Sequence, residues 1–290
     1  MIVSSLSPPP NALVTALLGP DPLTADPSTV YWEVAHRAAA IDAPENSLEA
    51  VRLAAENGAK WVEFDISFTK DNVAVAFHDD TLDRMTTASG PISSYTYEQL
   101  SKLDLGVKHP SNMTGVRIPT VDQFISLCLS LNIKMIIDLK SWKSPRYTRD
   151  FIVSLYNKYQ GLSSNAMVTS FFPHLLYLVR SENPNITCSI SSAPNLVPPI
   201  LSLFYPTLAD LASYKLVGLS AILAHKSAVT KEYVAKWSSR GVRVMAWTVD
   251  DPVEKKYMKD ELKVQVLTDT VRKSKPKINV SANNLFQILI

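Results

Sequence analysis

An α/β fold, a (β/α)8 TIM barrel with a small insertion after a hairpin on the second strand, is predicted by three observations. Short runs rich in β-branched and aromatic residues alternate with amphipathic stretches over most of the chain. Such alternation implies a parallel sheet covered by helices. Two of the nine β-rich runs, Trp61–Phe68 and Val73–Phe77, have only Thr69 to Asn72 between them. A parallel crossover needs a dozen or more residues, so this pair forms an antiparallel hairpin and eight runs remain for the barrel.

Residues 1–29 are expected to be a poorly ordered extension. Residues 2–20 carry no charge, but they lack a basic start and include Pro8, Pro9, Pro10 and Pro20. Their apolar run, Ala12 to Leu18, is too short to span a bilayer and wrongly flanked for a secretory signal. The barrel domain is assigned to 30–270, with strands at Val30–Ala35, Trp61–Phe68, Lys134–Leu139, Ala166–Ser170, Ile186–Ser191, Val217–Leu223, Val242–Val249 and Val264–Leu267. Helices are expected at Pro44–Asn57, Val121–Leu131, Tyr147–Tyr159, Pro173–Ser181 and Lys231–Arg240. For the first, Pro44 suits the opening helical position and Gly58 a C-terminal stop. Residues 79–118 are too long and polar for a simple connection and read as an insertion over the active face.

Five prolines between Asn183 and Ala209 argue against a membrane-spanning helix there. The apolar part, Leu196–Ala209, reads as a buried loop or as a contact with a membrane surface. The C-terminal tail, 271–290, holds a basic cluster of Arg272, Lys273, Lys275 and Lys277. It is a solvated tail, with contact to anionic lipid as the alternative.

Composition narrows the function. The chain has 290 residues, 46% hydrophobic and 19% charged, so a globular core can form. The 29 Lys+Arg against 27 Asp+Glu leave a net charge of +2, too balanced for a nucleic-acid binder. Cys128 and Cys188, the two cysteines, make neither a disulfide framework nor a four-cysteine zinc site. No glycine-rich phosphate loop is present.

Chemistry concentrates at strand ends. Side chains alternate along a strand, so Glu63 and Asp65 share one face, opposite Val62, Phe64 and Ile66. If the apolar face packs on helices, both carboxylates enter the barrel mouth. Asp138 and Lys140 repeat this spacing at the end of Lys134–Leu139. A two-residue turn at Lys70-Asp71 sets Glu63 opposite His78 and Asp65 opposite Ala76, bringing an imidazole to the carboxylates. His36-Arg37 ends the first strand, at the face where barrel enzymes build their sites, and offers a proton carrier beside a phosphate-binding fork. Three carboxylates from two strands make an oxygen-rich site for one hard divalent cation, Mg2+ or Ca2+ rather than zinc. With Arg37, Lys140 and two imidazoles nearby, the set suits phosphoryl transfer. Trp247 ends a later strand and is either core or an apolar wall for a substrate carbon chain.

Together these residues resemble the glycerophosphodiester phosphodiesterase family. The carrying motifs are His36-Arg37, Pro44-Glu45-Asn46, Glu63-Phe64-Asp65, His78-Asp79, Asp138-Leu139-Lys140, Trp247-Thr248 and Thr268-Asp269. Stretches such as Thr169–Pro173 and Gly218–Ala221 are similar to the animal membrane-associated subgroup, which acts on glycerophosphoinositol and related diesters. The resemblance implies metal-dependent hydrolysis to sn-glycerol 3-phosphate and an alcohol. It implies Glu63, Asp65 and Asp138 as metal ligands, and His36 and His78 as acid and base in an order the sequence leaves open. Arg37 and Lys140 would neutralise the phosphoryl group, with Trp247 against substrate and Glu45 and Asn46 supporting from behind. Membrane association is implied, with a cytoplasmic protein as the alternative. A lysophospholipase D-type activity on lipid diesters and a silent interaction protein are the other readings. Ala38 stands where the family usually has glycine; a position needing positive φ would make that alanine cost roughly 1 kcal/mol or more.

Overall fold

The computed structural model describes residues 4–140, 143–193 and 214–272. The strands are β1 (Glu33–Ala35), β2 (Trp61–Phe68), β3 (Ala74–Ala76), β4 (Lys134–Leu139), β5 (Ala166–Ser170), β6 (Cys188–Ser192), β7 (Ala221–His225), β8 (Arg243–Trp247) and β9 (Gln265–Thr268). Eight of them pair in parallel in the order β1-β9-β8-β7-β6-β5-β4-β2, and Ala35 of β1 pairs with Val62 of β2 to close the barrel. β3 hangs antiparallel on the outer stretch of β2. The helices are α1 (Asn11–Leu18), α2 (Leu48–Glu56), α3 (Tyr97–Leu100), α4 (Val121–Ser130), α5 (Pro145–Lys158), α6 (Pro173–Glu182), α7 (Lys231–Ser238) and α8 (Pro252–Asp260).

The apolar faces lie where alternation requires. Phe64 points outward and stacks on Phe124 of α4 with ring centroids 4.2 Å apart, while Glu63 and Asp65 point inward. Local signals fix the helix starts. Thr120 and Gln123 form a reciprocal capping box on α4, Ser144 caps α5 ahead of Pro145, and Asp251 caps α8 ahead of Pro252.

Several boundaries differ from expectation for identifiable reasons. Helix α2 starts at Leu48, capped by Ser47, because Asn46 is left-handed (φ 58°) and Pro44–Asn46 form a loop instead. Strand β7 starts at Ala221: Tyr214–Gly218 coil into a π turn that ends on Gly218 at φ 67°. The N-terminal segment, expected to be poorly ordered, carries α1 as a plug in the bottom of the barrel. Leu17 and Leu18 are buried against Val34, Trp61, Ile136, Met167, Leu223, Met245 and Leu267. The orphan carbonyls of its last turn are satisfied: Lys134 Nζ donates to Ala16 and Leu17, and Arg243 to Leu18 and Gly19.

The insertion has a core of its own, in which Leu82, Ile92, Leu100, Leu105, Val116 and Ile118 pack with Val75 and Phe77. It returns to the hairpin through a bridge between Val75 and Thr120. Leu196–Ala209 and the tail beyond Arg272 lie outside the described residues. Arg272 itself pairs with Asp42. Among the described residues no helix is long and apolar enough to cross a membrane.

Candidate active site

Inward parity at the C-terminal ends of the strands brings Glu63, Asp65 and Asp138 together. Each offers a carboxylate oxygen within 4.8 Å of the others, and all three are buried. Asp65 and Asp138 are register partners across β2 and β4. Lys140 leans over the pair, with Nζ 3.0 Å from Asp65 Oδ1 and 2.5 Å from Asp138 Oδ2. Asp138 Oδ1 is buried without a hydrogen-bond partner. Burial and the neighbouring Asp65 push the Glu63 carboxyl up to about 8, with His36 only partly offsetting them. Burial likewise raises Asp138, against the pull of Lys140. In Asp65 burial acts the same way but is overcome by Lys140, His78, Arg37 and the Asn46 hydrogen bond, which hold its carboxyl well below the usual range. Buried oxygens that repel one another, one of them unpartnered, fit a hard divalent cation in charge and donor type.

Behind β1 the chain turns through three consecutive left-handed residues, Arg37 (φ 48°), Ala38 (φ 62°) and Ala39 (φ 75°). The strain anticipated at Ala38 is therefore present. Hydrogen bonds hold the turn: Arg37 N–H donates to Glu63 Oε2 at 2.9 Å, Asn46 N–H to the Arg37 carbonyl at 2.9 Å and Ile41 N–H to the Asp269 carbonyl at 2.8 Å. Asn46 then bonds both ends of Asp65, donating Nδ2–H to Oδ2 and accepting the Asp65 N–H. Arg37 reaches Glu45 Oε1 at 3.2 Å, and its Nε, 3.8 Å from Asp65 Oδ2, makes no hydrogen bond.

Two imidazoles flank the carboxylates, each with an aspartate at Nδ1. His36 Nδ1 lies 2.6 Å from Asp269 Oδ1, which leaves Nε2 3.9 Å from Glu63 Oε2. Burial works against the imidazolium, but the Asp269 hydrogen bond and the charges of Glu63 and Asp269 outweigh it and raise His36 to about 8. His78 Nδ1 lies 2.7 Å from Asp79 Oδ1.

The expected hairpin register is one residue out. Ile66, not Asp65, faces Ala76, and Phe77 N–H donates to the Asp65 carbonyl, so His78 is not opposite Glu63. The turn has three residues, Lys70-Asp71-Asn72, because Asn72 adopts the left-handed conformation (φ 62°) and Thr69 N–H closes on the Val73 carbonyl. His78 instead reaches the site from the segment after β3, close enough for its charge to help depress Asp65.

Opposite the charged groups the mouth is aromatic. Trp247 Nε1 donates to the Leu223 carbonyl, and its ring meets Phe171 and His225 edge-on at 5.8 and 5.3 Å. It is half-buried and packs on the apolar interior of the barrel. Sequence reasoning missed His225 and Arg84, and it gave no role to Asp79, Asp269 and Phe171, although all three lie in the stretches that carry the resemblance. Parity alone could have found Phe171, His225 and Asp269, each two residues beyond an inward side chain. Arg84, from the insertion, had no such signal: it donates to both Asp79 and Glu45.

This arrangement agrees with what the chain is similar to. The model of the glycerophosphoryl diester phosphodiesterase family matches residues 36–273. Glycerophosphodiester phosphodiesterase 1 of Mus musculus is 33% identical over 258 residues, covering 82% of this chain and 77% of its own. The Homo sapiens protein of that name is 30% identical with the same coverage. Among solved structures, an Oleispira antarctica phosphodiesterase in complex with the product sn-glycerol-3-phosphate superposes with a TM-score of 0.68 at 23% identity, covering 82% of this chain and 92% of that one. The chain thus belongs to the glycerophosphoryl diester phosphodiesterase family and is an enzyme of that kind, a phosphoric diester hydrolase acting on glycerophosphodiesters.

Proposed function

We propose that the chain splits glycerophosphodiesters into sn-glycerol 3-phosphate and an alcohol by histidine acid–base chemistry beside one divalent cation held by Glu63, Asp65 and Asp138. The observation that carries this reading is the unpartnered Asp138 Oδ1 among three buried carboxylates, with a His–Asp pair on either side. Mg2+ or Ca2+, when bound, supplies positive charge to a non-bridging phosphate oxygen. Arg37 donates its free Nε–H to the phosphoryl group, and Lys140 adds a second charge. Trp247, with Phe171 and His225, forms the wall for the carbon skeleton of the substrate.

His36 is the acid of the first step, because the Glu63 charge beside Nε2 adds to Asp269 at Nδ1 in favouring its imidazolium, and Nε2–H is left facing the site. His78, set by Asp79, is the base. It takes the proton of the glycerol 2-hydroxyl as that oxygen bonds to phosphorus, while His36 protonates the departing alcohol as its P–O bond breaks. In the second step water opens the cyclic phosphate: His36 takes the proton of water, and His78 returns one to the 2-oxygen. The sn-glycerol-3-phosphate held by the Oleispira phosphodiesterase supports this product. Assaying glycerophosphoinositol against a lysophospholipid, each with Mg2+ and with Ca2+, tests the reading. Preferential release of sn-glycerol 3-phosphate from the water-soluble diester is expected, and turnover confined to the lysolipid would replace it with the lipid-diester activity.

A further inference from the structure

We infer that Arg84, supplied by the insertion rather than by the barrel, is a positioning residue that sets both His78 and Arg37. Its guanidinium donates to two carboxylates at once. Nε reaches Asp79 Oδ2 at 2.7 Å and Nη2 reaches Asp79 Oδ1 at 3.0 Å. On Glu45, Nη1 reaches Oε2 at 2.9 Å and Nη2 reaches Oε1 at 2.6 Å. Asp79 is the carboxylate on His78 Nδ1, and Glu45 is the carboxylate on Arg37 Nη1. One side chain therefore links the imidazole and the guanidinium that the proposed chemistry uses, in the order Arg37–Glu45–Arg84–Asp79–His78.

The geometry also explains the second acidic cluster. Glu45, His78 and Asp79 place ligand atoms within 4.8 Å of one another, as a metal site would. The two carboxylates already share the Arg84 guanidinium, so the charge that a cation would balance is balanced by protein. Glu45 is 7% exposed, and without Arg84 it and Asp79 would face one another as like charges in a partly dry site. A planar fork satisfies four acceptor oxygens in fixed directions; the point charge of a lysine does not.

The insertion is built to hold this residue still. Arg84 sits in a turn between Leu82 and Met85, both buried in the insertion core. Leu82 N–H donates to the Gly90 carbonyl, the buried Thr86 hydroxyl to the Leu82 carbonyl, and Lys108 to the Asp83 carbonyl. A second tie, His109 Nε2 to the Ala40 carbonyl at 2.8 Å, fixes the insertion to the left-handed turn that carries Arg37.

This inference rests on the assignment of His78 as a proton carrier. The test measures kcat and KM for glycerophosphoinositol, and Mg2+ affinity by calorimetry, in the full chain and in Arg84→Lys, Arg84→Gln, Asp79→Asn and the double variant Arg84→Gln/Asp79→Asn. Supporting groups of this kind are typically worth about 10–100-fold in activity. Both Arg84 variants should lose kcat by that order and raise KM, since Arg37 also loses its setting, with Mg2+ affinity unchanged; Asp79→Asn should lower kcat alone. The double variant should lose little more than either single, because the two groups act as one unit. Wild-type kcat in Arg84→Gln, full activity in Arg84→Lys, or multiplying losses in the double variant overturns the inference. If Arg84→Gln melts early, Arg84→Lys, which keeps the charge but not the planar fork, takes its place: the same loss of kcat supports the inference, and unchanged kcat overturns it. Failure of the underlying reading is separate, since it shows as undiminished activity in His78→Ala.

Discussion

The two ends of this barrel use the same strands for opposite purposes. Strand β4 carries Lys134 at the bottom and Asp138 at the mouth, and β8 carries Arg243 at the bottom and Trp247 at the mouth. At the bottom both cations are spent on helix carbonyls, and the side chains around Leu17 and Leu18 are apolar. At the mouth an acidic oxygen is left without a partner, carboxylates crowd one another, and three residues in a row take left-handed backbone. The bottom is thus organised for stability and the mouth for binding charge, as expected for a barrel whose chemistry sits at the C-terminal face.

The largest expected effect tests the mouth. His78→Ala should lower turnover by about 10²–10⁴-fold with the melting temperature unchanged, and steady-state kinetics beside a thermal melt checks it. A comparable loss of melting temperature would erase the contrast between the ends. The converse change is Leu17→Ala, which should destabilise by about 2–5 kcal/mol, read by urea unfolding, while kcat of the folded fraction stays put. Lost kcat there would mean that the plug shapes the site.

Changing pH separates the mouth from the insertion above it. The pKa of His36 is raised to about 8 from an ordinary value of about 6.5, so its favourable pairing is fully present below about 6.5 and is lost as pH rises through about 8. If His36 acts as the proposed acid, activity has an alkaline limb near that pH, and Asp269→Asn moves the limb downward in a pH–rate profile. The insertion has the opposite sign. Burial lowers His109, outweighing its bond to the Ala40 carbonyl, so its contribution is present above about 6.5 and lost as pH falls. Acidification should therefore loosen the insertion before the barrel, as faster amide exchange around 106–113.

The smallest effect concerns Ala38. Left-handed backbone costs about 1–2 kcal/mol for alanine. Its buried methyl returns about 0.8 kcal/mol, and glycine would lose roughly 0.5–1 kcal/mol more chain entropy on folding. Ala38→Gly should therefore leave stability within about 0.5 kcal/mol, checked by denaturant melts. That balance explains how the site tolerates alanine there.

Much of the site was legible because parity on a strand is a strict rule. Glu63, Asp65, Asp138 and Lys140 follow from alternation once the apolar face is assigned, and β2, β4 and β5 begin and end where their β-rich runs do. The hairpin register was not legible: two- and three-residue turns fit Thr69 to Asn72 alike, and the left-handed state of Asn72 decides between them. Helix α1 was hidden because eight residues between prolines are marginal alone and gain their stability from the barrel interior. Arg84 was hidden because its partners, Glu45 and Asp79, come from separate loops, and no local pattern encodes that meeting.

The most direct measurement is calorimetric titration of Mg2+ and Ca2+ into the intact chain and into Asp138→Asn, with thermal melts on both. If the three carboxylates hold one cation, the parent chain shows a single site, weakened at least about 10-fold in a variant that melts normally. Equal binding by the two proteins, or none by the parent, would refute the cation site.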